Sequence, residues 1–336
     1  MNYRSFGRTG VMVSPLILGC AGFGTRSDEA ASTEIINRST EAGINFIDTA
    51  NSYTRGVSET IVGRALKSNG QRNRIILASK VHFPMADDDP NASGTSRRHI
   101  VEQCNLSLRR LQTDRIDLYQ IHRPHSDLAI DETLRALDDL VRAGKVRYIG
   151  SSTHAAWQVV ESLWVAKELG LNRFISEQPP YHLLDRRIEP ELIPMAITHG
   201  LAIIPWSPLA FGSLSGIYGR GQPRPEGSRL SIEQDTDRWN GSFSDAAFTV
   251  VETLSDLADQ KGCTISQLAV AWCSQQPGVT APIIGPRTPD HLDSYLASLS
   301  VTVTEKDRDT LDEVIPPGGV IAPYYEGDFG PAQFRW

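Results

Sequence analysis

The chain has 336 residues, 40% of them hydrophobic and 22% charged, with a formal net charge of −7 at neutral pH. This is the composition of an ordinary globular chain with material for a buried core, neither disordered nor fibrous. Acidic residues are interspersed, and no basic stripe is offered to a phosphodiester backbone, so nucleic acid is not expected as a partner. No window approaches the roughly 20 apolar residues of a membrane span, and MNYRSFGRTG lacks an apolar leader region. A soluble cytoplasmic protein is expected. Cys20, Cys104, Cys263 and Cys273 form no CxxC pair and sit in apolar runs, the pattern of buried free thiols.

In chain order, YRSFGRTGVMVS reads as a small hairpin with Gly7 and Gly10 near its turn, placed to plug a barrel floor. Short apolar runs rich in β-branched residues follow at 16–19, 44–47, 75–79, 116–121, 146–150, 174–176, 201–205 and 280–284. Nearly every one precedes a longer stretch of helical periodicity, which predicts parallel βαβ units. Ser96 can open a helix with Ile100, Cys104, Leu108 and Leu111 on its buried stripe. Asp131 can cap a helix whose Leu134, Leu137 and Val141 share a face, with Gly144 as its left-handed stop. Thr288 followed by Pro289 opens the last barrel helix.

Eight runs match the strand count of a closed barrel, and no G-x-G-x-x-G follows any of them, which disfavours an open doubly wound sheet. A single (β/α)8 TIM barrel domain over residues 1–336 is expected, with long loops on its C-terminal face. Three segments interrupt the alternation: residues 84–95, residues 212–243, and the tail from Pro316. The second reads as a lid carrying Trp239, and the tail, with Phe334 and Trp336, as packing over the barrel mouth.

In such a barrel, function belongs at the C-terminal strand ends. NFIDTA ends its run at Asp48, RIILASK at Lys80 and DLYQIH at His122, while Tyr53 lies in the loop after Asp48. A purely structural arrangement would be a buried Asp48–Lys80 ion pair and a capped rim histidine. Function is preferred because the four residue types complement one another. A phenol, with an ordinary pKa of ~10, is a poor acid near neutrality unless a cation such as Lys80 lowers it. His122 could then hydrogen-bond a carbonyl oxygen beside Tyr53. A proton donor and an oxyanion site with neither metal nor covalent nucleophile call for a hydride carrier. Ser151, Ser152 and Thr153, then Glu177 and Gln178, then Trp206, Ser207 and Pro208 follow the next three runs. Their hydroxyls and amide suit a carboxamide, and the indole suits a nicotinamide ring. Gly285, Pro286, Arg287 and Thr288 lead into a helix N-terminus able to bind phosphate.

With those motifs assembled, the sequence resembles the aldo-keto reductases over essentially its whole length. NFIDTANSYTRGVSETIVGRAL looks like that family's signature, RIILASK and DLYQIHRP like its lysine and histidine motifs, and EQPPYHLLDR, PWSPLAFG and PIIGPRTPDHL like its cofactor-side motifs. The resemblance implies a catalytic group of Asp48, Tyr53, Lys80 and His122. It also implies Ser152 and Gln178 on the carboxamide, Trp206 against the nicotinamide, Ser207 and Leu209 along the pyrophosphate, and Arg287 at the 2′-phosphate. NADPH is the expected cofactor, with NADH as the alternative, and a small carbonyl compound the expected substrate. The sequence departs from the family pattern at Thr153, where Asn is usual beside the serine, at Tyr295 and His291 on the adenine side, and at His125 after the HRP stretch. Phe23, Phe83 and Trp239 would wall a pocket for apolar carbonyl compounds. Potassium channel β-subunits also look like this fold, which leaves a nucleotide-binding redox sensor or scaffold as the alternative function. A metal-dependent hydrolase drawing on His122 and His125 lacks the denser ligand set it would need.

Overall fold

The computed structural model describes residues 1–125, 127–228, 231 and 240–323. The chain begins as a hairpin in which β1 (Arg4–Ser5) pairs antiparallel with β2 (Met12–Val13). Gly7 turns it with φ 54°, and a Cβ there would stand 2.7 Å from the Gly200 carbonyl oxygen, so the turn lies against backbone that only glycine lets approach.

Among the described residues eight strands then form one parallel sheet: β3 (Ile17–Gly19), β4 (Phe46–Asp48), β5 (Ile76–Val81), β6 (Ile116–Ile121), β7 (Val146–Ser152), β8 (Phe174–Gln178), β9 (Ala202–Ile203) and β10 (Ile283–Ile284). The order runs β10-β3-β4-β5-β6-β7-β8-β9. Its ends meet: the Thr280 amide donates to the Ile203 carbonyl (2.8 Å) and the Ile283 amide to that of Pro205 (2.7 Å), closing the (β/α)8 barrel. The predicted runs at 201–205 and 280–284 shorten to two residues each because Pro205 and Pro282 carry no N–H for the ladder. β7 and β8 instead run past their predicted ends, since Ser151 and Ser152 pair with Glu177 and Gln178.

The helices are α1 (Glu29–Glu41), α2 (Val57–Ser68), α3 (Arg97–Arg110), α4 (Ile130–Arg142), α5 (Ala156–Leu169), α6 (Leu192–His199), α7 (Asp245–Lys261), α8 (Ile265–Ser274), α9 (Pro289–Ala297) and α10 (Glu305–Val314). Ser96 caps α3 and Thr288 caps α9 as the sequence predicts. Asp131 does not cap α4: the cap position is Ala129, and Asp131 sits in the first turn, where its charge still meets the helix dipole. Among the described residues no helix is long and apolar enough to cross a membrane.

Alternating strand residues divide the core. Ile17, Phe46, Ala78, Leu118, Ala202 and Ile283 pack inside the barrel with Phe6 and Val13, so the hairpin plugs the floor. Leu18, Ile47, Leu77, Tyr119 and Ile149 face outward onto Ile35, Val62, Ile100 and Leu137 of the helices. The lid residue Trp239 and the tail residues Phe334 and Trp336 lie outside the described residues.

Helix α2 lies against the end of α3 at Gly63, where an added Cβ would meet Arg110 O at 2.6 Å and Leu111 C at 2.6 Å. Both are backbone atoms with no rotamer to retreat into. Gly63→Ala is expected to destabilise the chain by about 1–3 kcal/mol, read as a lowered urea midpoint; an unchanged or raised midpoint would show that α3 yields freely.

Candidate active site

Asp48 ends β4, and Lys80 lies one residue before the end of β5, so parallel pairing brings both to the C-terminal mouth. Both are buried, Lys80 at 0% and Asp48 at 2% exposure. The Lys80 ammonium donates to Asp48 Oδ2, to the Thr49 carbonyl (3.0 Å) and to Tyr53 Oη (3.1 Å). Three acceptors match the three N–H donors of a charged lysine. The second carboxylate oxygen, Asp48 Oδ1, accepts from Gln120 Nε2 and Gln178 Nε2, each at 3.0 Å. Every strong hydrogen-bonding site of the pair is therefore satisfied, the condition under which a buried ion pair is tolerated.

Tyr53 enters from the turn after β4, where Thr54 (φ 49°), Arg55 (φ 48°) and Gly56 (φ 94°) all have left-handed backbones. Strain of this kind concentrates where a side chain must be aimed. The ring sits with its centroid 4.9 Å from Lys80 Nζ and meets His122 edge-on at 5.7 Å. Phe83 covers His122 from another side at 4.8 Å. His122 Nδ1 is buried without a partner among the described residues.

Burial, helped by the Arg123 and Lys80 cations, holds His122 well below its ordinary value, so the imidazole is neutral. Burial works against the Lys80 charge, but the Asp48 carboxylate and Tyr53 outweigh it and keep the ammonium above its ordinary value. For Tyr53 burial wins. Lys80 pulls the phenol down, as the sequence suggested, yet the net shift is upward. That expectation is corrected: the lysine supplies a fixed charge, not a phenol of lowered pKa.

A cleft of about 850 Å³ runs from Tyr53 and His122 along the later strand ends. Ser152, Gln178, Trp206, Ser207, Leu209, Gly285, Arg287 and His291 line it. Thr153 does not; it is fully buried, and its hydroxyl accepts from Arg123 Nη1 (2.9 Å). The loop after β9 is strained at Ser207 (φ 56°), Ala210 (φ 48°) and Phe211 (φ 59°), again beside the cleft. At the far end Thr288 caps α9 by accepting from the His291 amide (3.3 Å), and Pro289 takes the first helical position. Burial, joined by Arg287, lowers His291, and burial pushes Tyr295 up to about 12. Phe83 lines the cleft but Phe23 does not, because the Gly22–Gly24 turn folds its ring into the helix-facing core.

Two contributors escaped the sequence. Gln120 lies two residues before His122 on β6, and the strand period already put it on the same face. Arg123, 8% exposed, packs its guanidinium 5.5 Å from the Phe83 ring and 5.8 Å from that of Trp206. No single-strand pattern announces that. Among the described residues no three His, Cys, Asp or Glu gather as metal ligands would.

Removing one member of a buried pair strands the other's charge. Lys80→Met alone is expected to cost about 3–5 kcal/mol of stability, and Asp48→Asn/Lys80→Met to recover part of that loss. Urea unfolding of both variants checks it; additive losses would mean the two side chains do not act as a pair.

The family model for the Aldo/keto reductase family matches residues 15–316. The chain is 36% identical over 350 residues to a versiconal hemiacetal acetate reductase of Aspergillus parasiticus, covering 95% of this chain and 98% of that protein. It is 36% identical over 334 residues to the uncharacterized oxidoreductase YrpG of Bacillus subtilis, covering 97% and 99%. A probable voltage-gated potassium channel subunit beta of Arabidopsis thaliana is 34% identical over 320 residues, with 94% and 97% covered. A barrel with this strand-end group and a match across most of its length belongs to the aldo/keto reductase family.

Proposed function

We propose that the chain is an oxidoreductase that reduces aldehydes or ketones to alcohols with NADPH, Tyr53 delivering the proton. The observation that carries this reading is the phenol of Tyr53, 3.1 Å from a lysine locked to Asp48 and beside a neutral histidine, at one end of a long cleft. A nicotinamide nucleotide bound in that cleft would supply the hydride.

The cleft suits such a nucleotide end to end. Ser152 and Gln178 offer polar groups for a carboxamide and Trp206 an aromatic face. Ser207 and Leu209 are left for a pyrophosphate, and Arg287 with the α9 N-terminus for a 2′-phosphate. The remaining chemistry falls to the chain. A neutral His122 can donate a hydrogen bond to the substrate oxygen and so hold the carbonyl beside Tyr53. As negative charge develops on that oxygen, the proton passes from Tyr53 Oη to it, completing the O–H bond of the alcohol. The phenolate left behind faces the Lys80 ammonium, which is already in place and needs no reorganisation.

The relatives named as potassium channel β-subunits favour a second reading, a nucleotide-binding member of a larger assembly. The assembled proton-donating group and the cleft opening beside it support turnover instead.

Tyr53→Phe is expected to lower kcat by about 10²–10⁴-fold while leaving NADPH affinity nearly unchanged. Turnover against a panel of aldehydes and ketones, with binding read by fluorescence, checks it. Retained reduction would remove Tyr53 from the role, and no reduction by either protein with the nucleotide bound would favour the second reading.

The pH profile follows from the two shifts. Tyr53 must be protonated to donate, and its pKa is raised, so the acid form persists throughout the range below about pH 10. His122 must be neutral and its pKa is lowered, so it charges only well below about pH 6. At saturating cofactor kcat should therefore be flat between about pH 6 and 10 and fall only above it; a midpoint near neutrality would assign the proton to another group.

A further inference from the structure

The residues facing the cleft do not account for the turn that presents them. β7 ends at Ser152, and Thr153 follows with φ 62°, a conformation rare for a β-branched residue. Several bonds hold this strained turn. The Thr153 amide and the Ser152 hydroxyl both donate to the Gln178 carbonyl, at 3.1 and 2.9 Å. His154 Nδ1 lies 3.0 Å from the Ser152 carbonyl, which can only accept, so Nδ1 carries the proton. The last tie is the His154 amide, which donates to Glu177 Oε1 at 3.0 Å.

Glu177 is an unusual residue to find there. It is fully buried, with Oε2 lacking a partner among the described residues, and it pairs in register with Ser151. Its chain neighbour Gln178 extends its own side chain inward to Asp48, so Glu177 stands on the opposite face of β8, behind the cleft. A buried carboxyl costs stability unless its oxygens are hydrogen-bonded or paired, and among the described residues one of them is not.

We propose that Glu177 is a positioning residue for the cofactor pocket: from behind the β7–β8 edge its carboxylate fixes the 152–154 turn, and through it the placement of Ser152 and Gln178. This rests on the cofactor reading above. Glu177 touches neither substrate nor nucleotide.

Its charge state makes the role testable. Burial pushes the carboxyl up to about 7, against the Ser151 hydroxyl, the His154 amide and the Arg123 guanidinium, which all favour the anion. Those groups come from β7, the loop after it and the loop after β6; from β9 the paired residue is Ile203, which carries no charge. His154 is itself lowered to about 4, by burial and by Arg123, and so stays neutral while Glu177 titrates. An ionised carboxylate accepts from the His154 amide more strongly than the acid does. The turn is therefore held best above neutrality and loosens as pH falls through about 7.

The test is NADPH and NADH affinity by fluorescence quenching between about pH 6 and 8.5, with kcat at saturating cofactor, for the unmodified chain, Glu177→Gln and Glu177→Asp. For the unmodified chain Kd is expected to weaken by about tenfold as pH falls across that range. Glu177→Gln should show the weakened value at every pH, with kcat within about twofold. Glu177→Asp keeps a carboxylate and should retain the slope. The NADH series removes any contribution from titration of the 2′-phosphate. Glu177→Gln binding as tightly as the unmodified chain, with the same slope, would overturn the proposal, as would a loss confined to kcat. A flat profile in the unmodified chain overturns it without any variant, should Glu177→Gln fail to fold. Failure of the unmodified chain to bind either nucleotide brings down the cofactor reading, and this inference with it, and is thereby told apart.

Discussion

A lysine ammonium with no exposure to water must find an acceptor for each of its protons within the protein, and the mouth of this barrel is arranged around Lys80 doing so. One proton goes to Asp48 of β4, one to the backbone of Thr49 and one to the hydroxyl of Tyr53. The remaining oxygen of Asp48 draws in Gln120 from β6 and Gln178 from β8, and those two amides also bond each other at 3.2 Å. One buried charge thus fixes side chains from β4, β5, β6 and β8 relative to one another. Such a network is a poor device for stability, because apolar residues of similar volume would serve as well or better. What apolar residues would not do is hold a phenolic oxygen 3.1 Å from a permanent positive charge.

That geometry also resolves the direction of the Tyr53 shift. A phenol acidified below the working pH would already be ionised and could not donate a proton. On the proposed reading, burial would keep the proton on until the substrate oxygen became an incipient alkoxide, which is far more basic than a phenolate, so transfer from an unacidified phenol would run downhill. The lysine would then act on the product of that transfer, the phenolate, in surroundings where a fixed charge interacts more strongly than it would in water. Low acidity at rest and stabilisation after transfer are compatible because they concern different protonation states of one side chain.

The barrel itself was legible in the sequence because strand identity is carried by local pattern. β-branched runs, their spacing and the polar residue closing each run are all visible along one segment, and they located Asp48, Lys80, His122 and Gln178. What local pattern does not carry is register between strands. Gln120 becomes a partner of Asp48 only because β5 separates and aligns β4 and β6, and Glu177 reaches the His154 amide only because β8 slips against β7 between Ile149 and Ser151. Helix ends illustrate the same limit at shorter range: Asp131 has the chemistry of a cap, but the helix starts one residue earlier, at Ile130. Phe23 was misjudged because aromatic character does not say which way a glycine-flanked turn folds. The lid and tail readings rest on Trp239, Phe334 and Trp336, outside the described residues.

The strand ends fall into two halves, with the proposed proton-donating group at the ends of β4 to β6 and the proposed nucleotide side on β7 to β10, and Arg123 stands at their junction. Its Nη1 donates to the His122 carbonyl (2.7 Å) and to Thr153 Oγ1 (2.9 Å), while its guanidinium lies near the rings of both Phe83 and Trp206. A fixed cation in that place acts on both halves at once. It adds to burial in keeping His122 and His154 neutral, and it opposes burial at Glu177 by favouring the anion. The same charge that keeps a histidine neutral on one side thus favours the carboxylate that accepts from the His154 amide on the other. Planar, permanently charged and able to pack against aromatic rings, arginine can meet all of these demands at a buried site where lysine, a point charge on a flexible stem, cannot.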